Sequence, residues 1–132
     1  MSSKFLEKQK IPTWIDQMFD EIDTLEFGAG FEHLQNDAQM QFGATETNGV
    51  DAIKKFFVRI DSPLEIKHQA LEVWGGDGTK IVRGKATFRK KGSSDAMVTA
   101  PFIQIFTTSP VQDDLVTHWL VVAGPLQTDS IL

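Results

Sequence analysis

The chain has 132 residues, 41% of them hydrophobic and 23% charged, which fits one globular domain and excludes disordered, collagenous and coiled-coil classes. Eighteen acidic against thirteen basic residues give a net charge of −5, and no basic run exceeds Arg89-Lys90-Lys91, so the footprint of a nucleic-acid binder is missing. Without cysteine there is no disulfide, thiolate nucleophile or cysteine-based metal site, and without tyrosine no phenol chemistry.

Residues 1–11 are polar and read as a flexible lead with no signal-peptide core, and no stretch approaches the ~18 apolar residues of a membrane span. A soluble, cytoplasmic protein with no membrane partner is therefore expected. The domain is expected over residues 12–126, with a short tail at 127–132.

In chain order, Pro12 and Thr13 open a helix predicted over 14–27, in which Ile15, Met18, Phe19 and Ile22 fall at helical spacing. Asp16, three residues after Thr13, completes a capping box, and Gly28 and Gly30 stop the helix. Phe31 to Gln35 forms one further helical turn, and Met40 to Phe42 a short strand. Asn48 then caps a second helix whose apolar stripe is Val50, Ile53, Phe56 and Phe57.

Beyond Pro63 the pattern is strand, over 65–74, 80–89, 97–107 and 115–123. The intervening turn clusters are Gly75-Gly76-Asp77-Gly78, Lys91-Gly92-Ser93-Ser94, and Ser109-Pro110 with Asp113-Asp114. Helices followed by a strand meander predict an α+β fold, a strongly curved antiparallel sheet wrapped around the N-terminal helices, with a cone-shaped internal cavity.

Four features in this order carry a family resemblance. They are the helix from Trp14 to Phe27 with its Asp20-x-x-Asp23 pair, the helix Gly49-Val50-Asp51-Ala52-Ile53-Lys54-Lys55-Phe56-Phe57, the Ile66-Lys67-His68 strand opening, and Pro101-Phe102 inside the third long strand. With the last strand opening at Leu115, these make residues 12 to 126 resemble the SnoaL-like branch of the NTF2-like superfamily, which includes scytalone dehydratase, polyketide cyclases and ketosteroid isomerase. The resemblance implies a cystatin-like cone and a hydrophobic cavity. To scytalone dehydratase it implies a helix aspartate, placed at Asp20, and a strand histidine, placed at His68. Phe19 stands beside that aspartate, no tyrosine exists, and no histidine lies near Phe102 or Gln104, so the same dehydration of the same substrate is not expected.

Read from the residues themselves, His68 shares a strand face with Ile66, Ala70, Glu72 and Trp74 and is the leading acid–base candidate. Asp16, Asp20 and Asp23 form one acidic stripe on the first helix. Either a solvated side or a carboxylate orienting His68 would explain it, and a helical wheel places Asp23 nearer the apolar stripe than Asp20. His118 shares a face with Val116, Leu120 and Val122 and could meet His68 across the cone as a second acid or base; a satisfied core histidine is the alternative. Glu72 and Gln104 are candidate polar points, and Trp14, Phe19, Phe57, Trp74, Phe88, Phe102, Phe106 and Trp119 are aromatics for core or cavity wall. His33, His68 and His118 lack metal-ligand spacing, and Gly28-Ala29-Gly30 follows a helix rather than a strand, so no metal and no dinucleotide is expected.

The expectation is a cofactor-free lyase, isomerase or cyclase acting by proton transfer on an apolar, aromatic or polycyclic small molecule, with a role in secondary metabolism as the resemblance suggests. The alternatives are a small-molecule binding protein or a dimerisation module of the same fold. A homodimer is expected, because a long meander leaves one sheet face uncovered.

Overall fold

The computed structural model describes residues 6–112 and 114–123, so the expected tail at 127–132 lies outside the described residues. The elements are β1 (Glu7–Gln9), α1 (Thr13–Thr24), a 3₁₀ turn (Phe31–His33), β2 (Leu34–Phe42), β3 (Thr45–Asn48), α2 (Val50–Asp61), β4 (Leu64–Gly76), β5 (Thr79–Lys90), β6 (Val98–Thr108) and β7 (Val116–Ala123). They form a seven-stranded sheet in the order β1-β4-β5-β6-β7-β2-β3. The α+β class is as expected. Neighbouring strands are antiparallel except β2 and β7, which run parallel, so the sheet is mixed.

α1 buries Ile15, Met18, Phe19 and Ile22 against the concave sheet face, each at most 1% exposed. No side chain caps its start: Thr13 is already helical and Pro12 is the N-cap, so the expected capping box does not form. The helix ends at Thr24, before the expected 27, with Leu25 in the left-handed region at φ 60°. The cause lies in Glu21, whose buried carboxylate accepts the main-chain N–H of Gly28 (2.8 Å), Gly30 (2.7 Å) and Phe31 (3.0 Å). Those bonds turn the chain back across the end of α1 and satisfy the amides of Gly30 and Phe31, which would otherwise be buried without partners.

α2 begins after Gly49, at φ 90°, whose N–H donates to the Ala38 carbonyl. Asn48, the expected cap, pairs with Gln39 in β3 instead. The expected short strand 40–42 is the end of the longer β2, and β3 was not anticipated. Residues 7–9, expected within a flexible lead, pair with β4 from Glu7 opposite Gly75 to Gln9 opposite Val73.

Besides a shift between Leu34 and Gln39 in the β2–β7 pair, two bulges decide which side chains of β4 and β7 face inward. A bulge between Ala70 and Glu72 in β4 inserts Leu71, and another between Thr107 and Thr108 leaves Thr117 of β7 as the extra residue. Each bulge shifts the alternation of a strand by one residue, so residues beyond it change face. Among the described residues no helix is long and apolar enough to cross a membrane.

Candidate active site

The concave face of the sheet and the two helices enclose a cavity of about 210 Å³. Its walls are apolar, chiefly Phe42, Phe57, Phe88 and Phe102 with Ile22, Ile60, Ile66 and Val121, and the polar side chains lining it are His68, Asp61 and Gln104.

His68 comes from β4, before the bulge, where alternation still places it inward with Ile66. Asp23 reaches it from the last turn of α1. The Asp23 carboxylate accepts the His68 main-chain N–H at 3.0 and 3.1 Å and bonds the ring Nδ1 at 2.6 Å, with both side chains 12% exposed. An ionised carboxylate only accepts, so Nδ1 carries a hydrogen and the neutral ring presents Nε2 as its basic atom. The imidazole is held between the Phe19 and Phe102 rings, at centroid distances of 6.0 and 5.9 Å.

Asp61, the last residue of α2, was not among the expected site residues. It is 5% exposed, and its Oδ2 is buried without a hydrogen-bond partner among the described residues. Burial raises its carboxyl to about pKa 6; the His68 charge opposes that rise and the Asp23 charge adds to it. The signal was present in the helix period, since Asp61 follows Ile53 and Phe57 at successive steps of four on the stripe that meets the core.

Gln104 is 3% exposed, and its Oε1 accepts the indole N–H of Trp119 at 2.9 Å. Phe57, Phe102 and Gln104 therefore line the cavity as expected positions, whereas other expected residues lie elsewhere. Asp20 is exposed on the solvent side of α1; it lines an outer crevice with Lys67, Gln69 and the outer side of His68, whose ring bonds Asp23 instead. The bulge at Leu71 turns Glu72 and Trp74 to the convex face, where Glu72 pairs with Arg83 at 2.8 Å and Lys8 at 3.7 Å, and Trp74 is 38% exposed. His118 is likewise exposed on the convex face beside Gln39, so it cannot meet His68. Trp14 is core, stacked on His33 at 5.1 Å, and Phe19 and Trp119 are core residues that back the cavity without lining it.

No family model and no curated protein matches the sequence. Solved structures do match over most of their length. A proposed SnoaL-like polyketide cyclase from Jannaschia sp. is 15% identical, with a TM-score of 0.69 over 87% of this chain and 90% of that one. A ketosteroid isomerase-like protein from Catenulispora acidiphila, crystallised with trimethylamine, is 11% identical, with a TM-score of 0.70 over 86% of each chain. An LEH-like epoxide hydrolase from M. tuberculosis is 10% identical, with a TM-score of 0.67 over 84% of this chain and 80% of that one. The chain thus has the fold of these SnoaL-like, ketosteroid isomerase-like and NTF2-like structures.

Proposed function

We propose that the protein is a cofactor-free acid–base enzyme of lyase, isomerase or cyclase type acting on an apolar small molecule in the central cavity. The observation that carries this reading is the pairing of His68 with Asp23 in the same cavity as Asp61, whose buried Oδ2 has no hydrogen-bond partner among the described residues, between walls that are Phe and aliphatic apart from Gln104. Nε2 of His68 takes a proton from a carbon next to a carbonyl or a leaving hydroxyl, and Asp23 stabilises the imidazolium that forms. Asp61 in its protonated form supplies a proton at a second position, leaving its carboxylate to recover one from His68 or solvent. Asp61, whose carboxyl burial raises to about 6, serves as the acid, and His68 as the base.

The test is a screen of apolar ketones and enones for exchange of carbon-bound hydrogen with solvent deuterium, followed by NMR. The expected result is exchange by the wild type and a loss on the order of 10²-fold or more in His68→Ala with ligand affinity retained. Binding without exchange across the panel would favour a non-catalytic binding protein.

An assembly role is supported by one further observation, a row of apolar side chains across the convex face. Trp74, Ile81, Ile105 and Leu120 are successive cross-strand partners on β4, β5, β6 and β7. A homodimer through this face is the proposed state, and light scattering giving a monomer mass would refute it.

A further inference from the structure

Gln104, like His68, is a cavity residue whose hydrogen-bonding polarity is fixed by a neighbour. An amide can be turned either way, but the indole of Trp119 can only donate, so the atom that it meets at 2.9 Å has to be the amide oxygen. Trp119 cannot turn away in its turn: it is 1% exposed and packed against Phe106 at 5.2 Å and Phe57 at 5.4 Å. The amide NH₂ is left as the free end, with no partner among the described residues. Its cross-strand neighbours are Val82 and Val121, both apolar and at most 3% exposed. The NH₂ is not fully buried, and Gln104 lines the cavity, so a ligand acceptor can reach it among apolar walls, where a hydrogen bond is stronger than in water.

We infer that the Trp119–Gln104 pair makes the cavity selective for ligands that present a hydrogen-bond acceptor oxygen, such as a ketone or ester carbonyl, to the Gln104 NH₂. This deepens the reading of the cavity as a ligand site and rests on it. Gln104 is the specificity-determining contact. Trp119 is a positioning residue that never touches the ligand and acts by denying the amide its other orientation.

The test compares equilibrium binding of two probes of nearly equal shape, methyl naphthyl ketone and isopropenylnaphthalene, which differ in C=O against C=CH₂. In Gln104→Met, which keeps the chain length and loses the donor, the ketone-to-alkene affinity ratio should fall about tenfold while alkene affinity holds. In Trp119→Phe the ratio should also fall, because the amide can rotate. A purely structural role for either residue would weaken both probes alike, and a ratio unchanged from wild type in the folded variant overturns the inference. Should Gln104→Met fail to fold, the Trp119→Phe ratio decides. Binding of both probes with an unchanged ratio sinks only this inference, whereas failure of the wild type to bind either probe sinks it together with the cavity reading.

Discussion

One carboxylate of Asp23 holds both the main chain and the ring of His68, accepting the main-chain N–H at 3.0 Å and bonding Nδ1 at 2.6 Å. The two contacts fix ring and backbone from the same side, so the imidazole has a single tautomer and a single orientation toward the cavity.

Asp23→Asn tests that arrangement. An amide can turn its NH₂ toward Nδ1, and the neutral ring then carries its hydrogen on Nε2, where the proposed reaction needs a lone pair. Proton-transfer activity is expected to fall by on the order of 10²-fold or more. Ligand affinity should hold, and nitrogen NMR of His68 should report the exchanged tautomer. Asp20→Ala should leave activity near wild type, since that carboxylate is exposed. An Asp20→Ala loss as large as that of Asp23→Asn would reverse the assignment.

Asp61 makes stability depend on pH in a defined direction. Its folded pKa is raised from 3.8 to about 6, so between those values the folded chain holds a proton that the unfolded chain has released. Stability from this group is therefore present at low pH and lost as pH rises through about 6. Above that the buried carboxylate costs on the order of 3 kcal/mol. Asp61→Asn should remove the penalty, so its melting temperature relative to wild type should rise between about pH 4 and pH 7. A pH-independent difference would show that Asp61 ionises freely in the folded state.

Much of the fold follows from the period of apolar residues, because burial of Ile15, Met18, Phe19 and Ile22, or of Ile53 and Phe57, needs only helical spacing. The four long strands likewise end within a few residues of Gly- and Pro-rich turns. What the alternation of β4 and β7 does not carry is the phase. Leu71 and Thr117 each add one residue to a strand without any mark in composition, which is why Glu72, Trp74 and His118 turn outward. Asp23 and Asp20 differ by less than one helical turn; the helical wheel favoured Asp23 and the resemblance Asp20, and the packing of β4 against α1 decides for Asp23. Asp61 was legible but unread, because a carboxylate on an apolar stripe looks like the end of the stripe.

Glu21 has no place in the chemistry and a large one in building the site. Its two oxygens take three main-chain N–H groups, of Gly28, Gly30 and Phe31, and so fix the turn that carries Phe31 into the core at 2% exposure. Glu21→Gln replaces an acceptor oxygen by an NH₂ facing these donors. A loss of about 2–3 kcal/mol is expected from the charge-assisted bonds. Hydrogen exchange should accelerate first at the amides of residues 28–31. Unchanged melting and exchange would mean that the turn holds itself.

Gly84 controls the position of Phe102 from across the sheet. It pairs with Phe102 on one side and Ala70 on the other. A Cβ at position 84 would run into the Gln69 carbonyl oxygen and the edge of the Phe102 ring, coming within 2.7 Å of Cε1. Relief at the carbonyl needs a backbone shift, and relief at the ring needs Phe102 to move, and Phe102 touches both the cavity and His68. Gly84→Ala should therefore cost about 1–3 kcal/mol through overpacking, although alanine is otherwise the better strand residue. It should also weaken binding of an apolar probe by displacing the wall against which the ligand rests. Phe102→Leu combined with Gly84→Ala should recover part of the lost stability, because the smaller side chain vacates the edge that the new methyl group strikes. A double variant no more stable than the single one would place the strain at the Gln69 carbonyl instead.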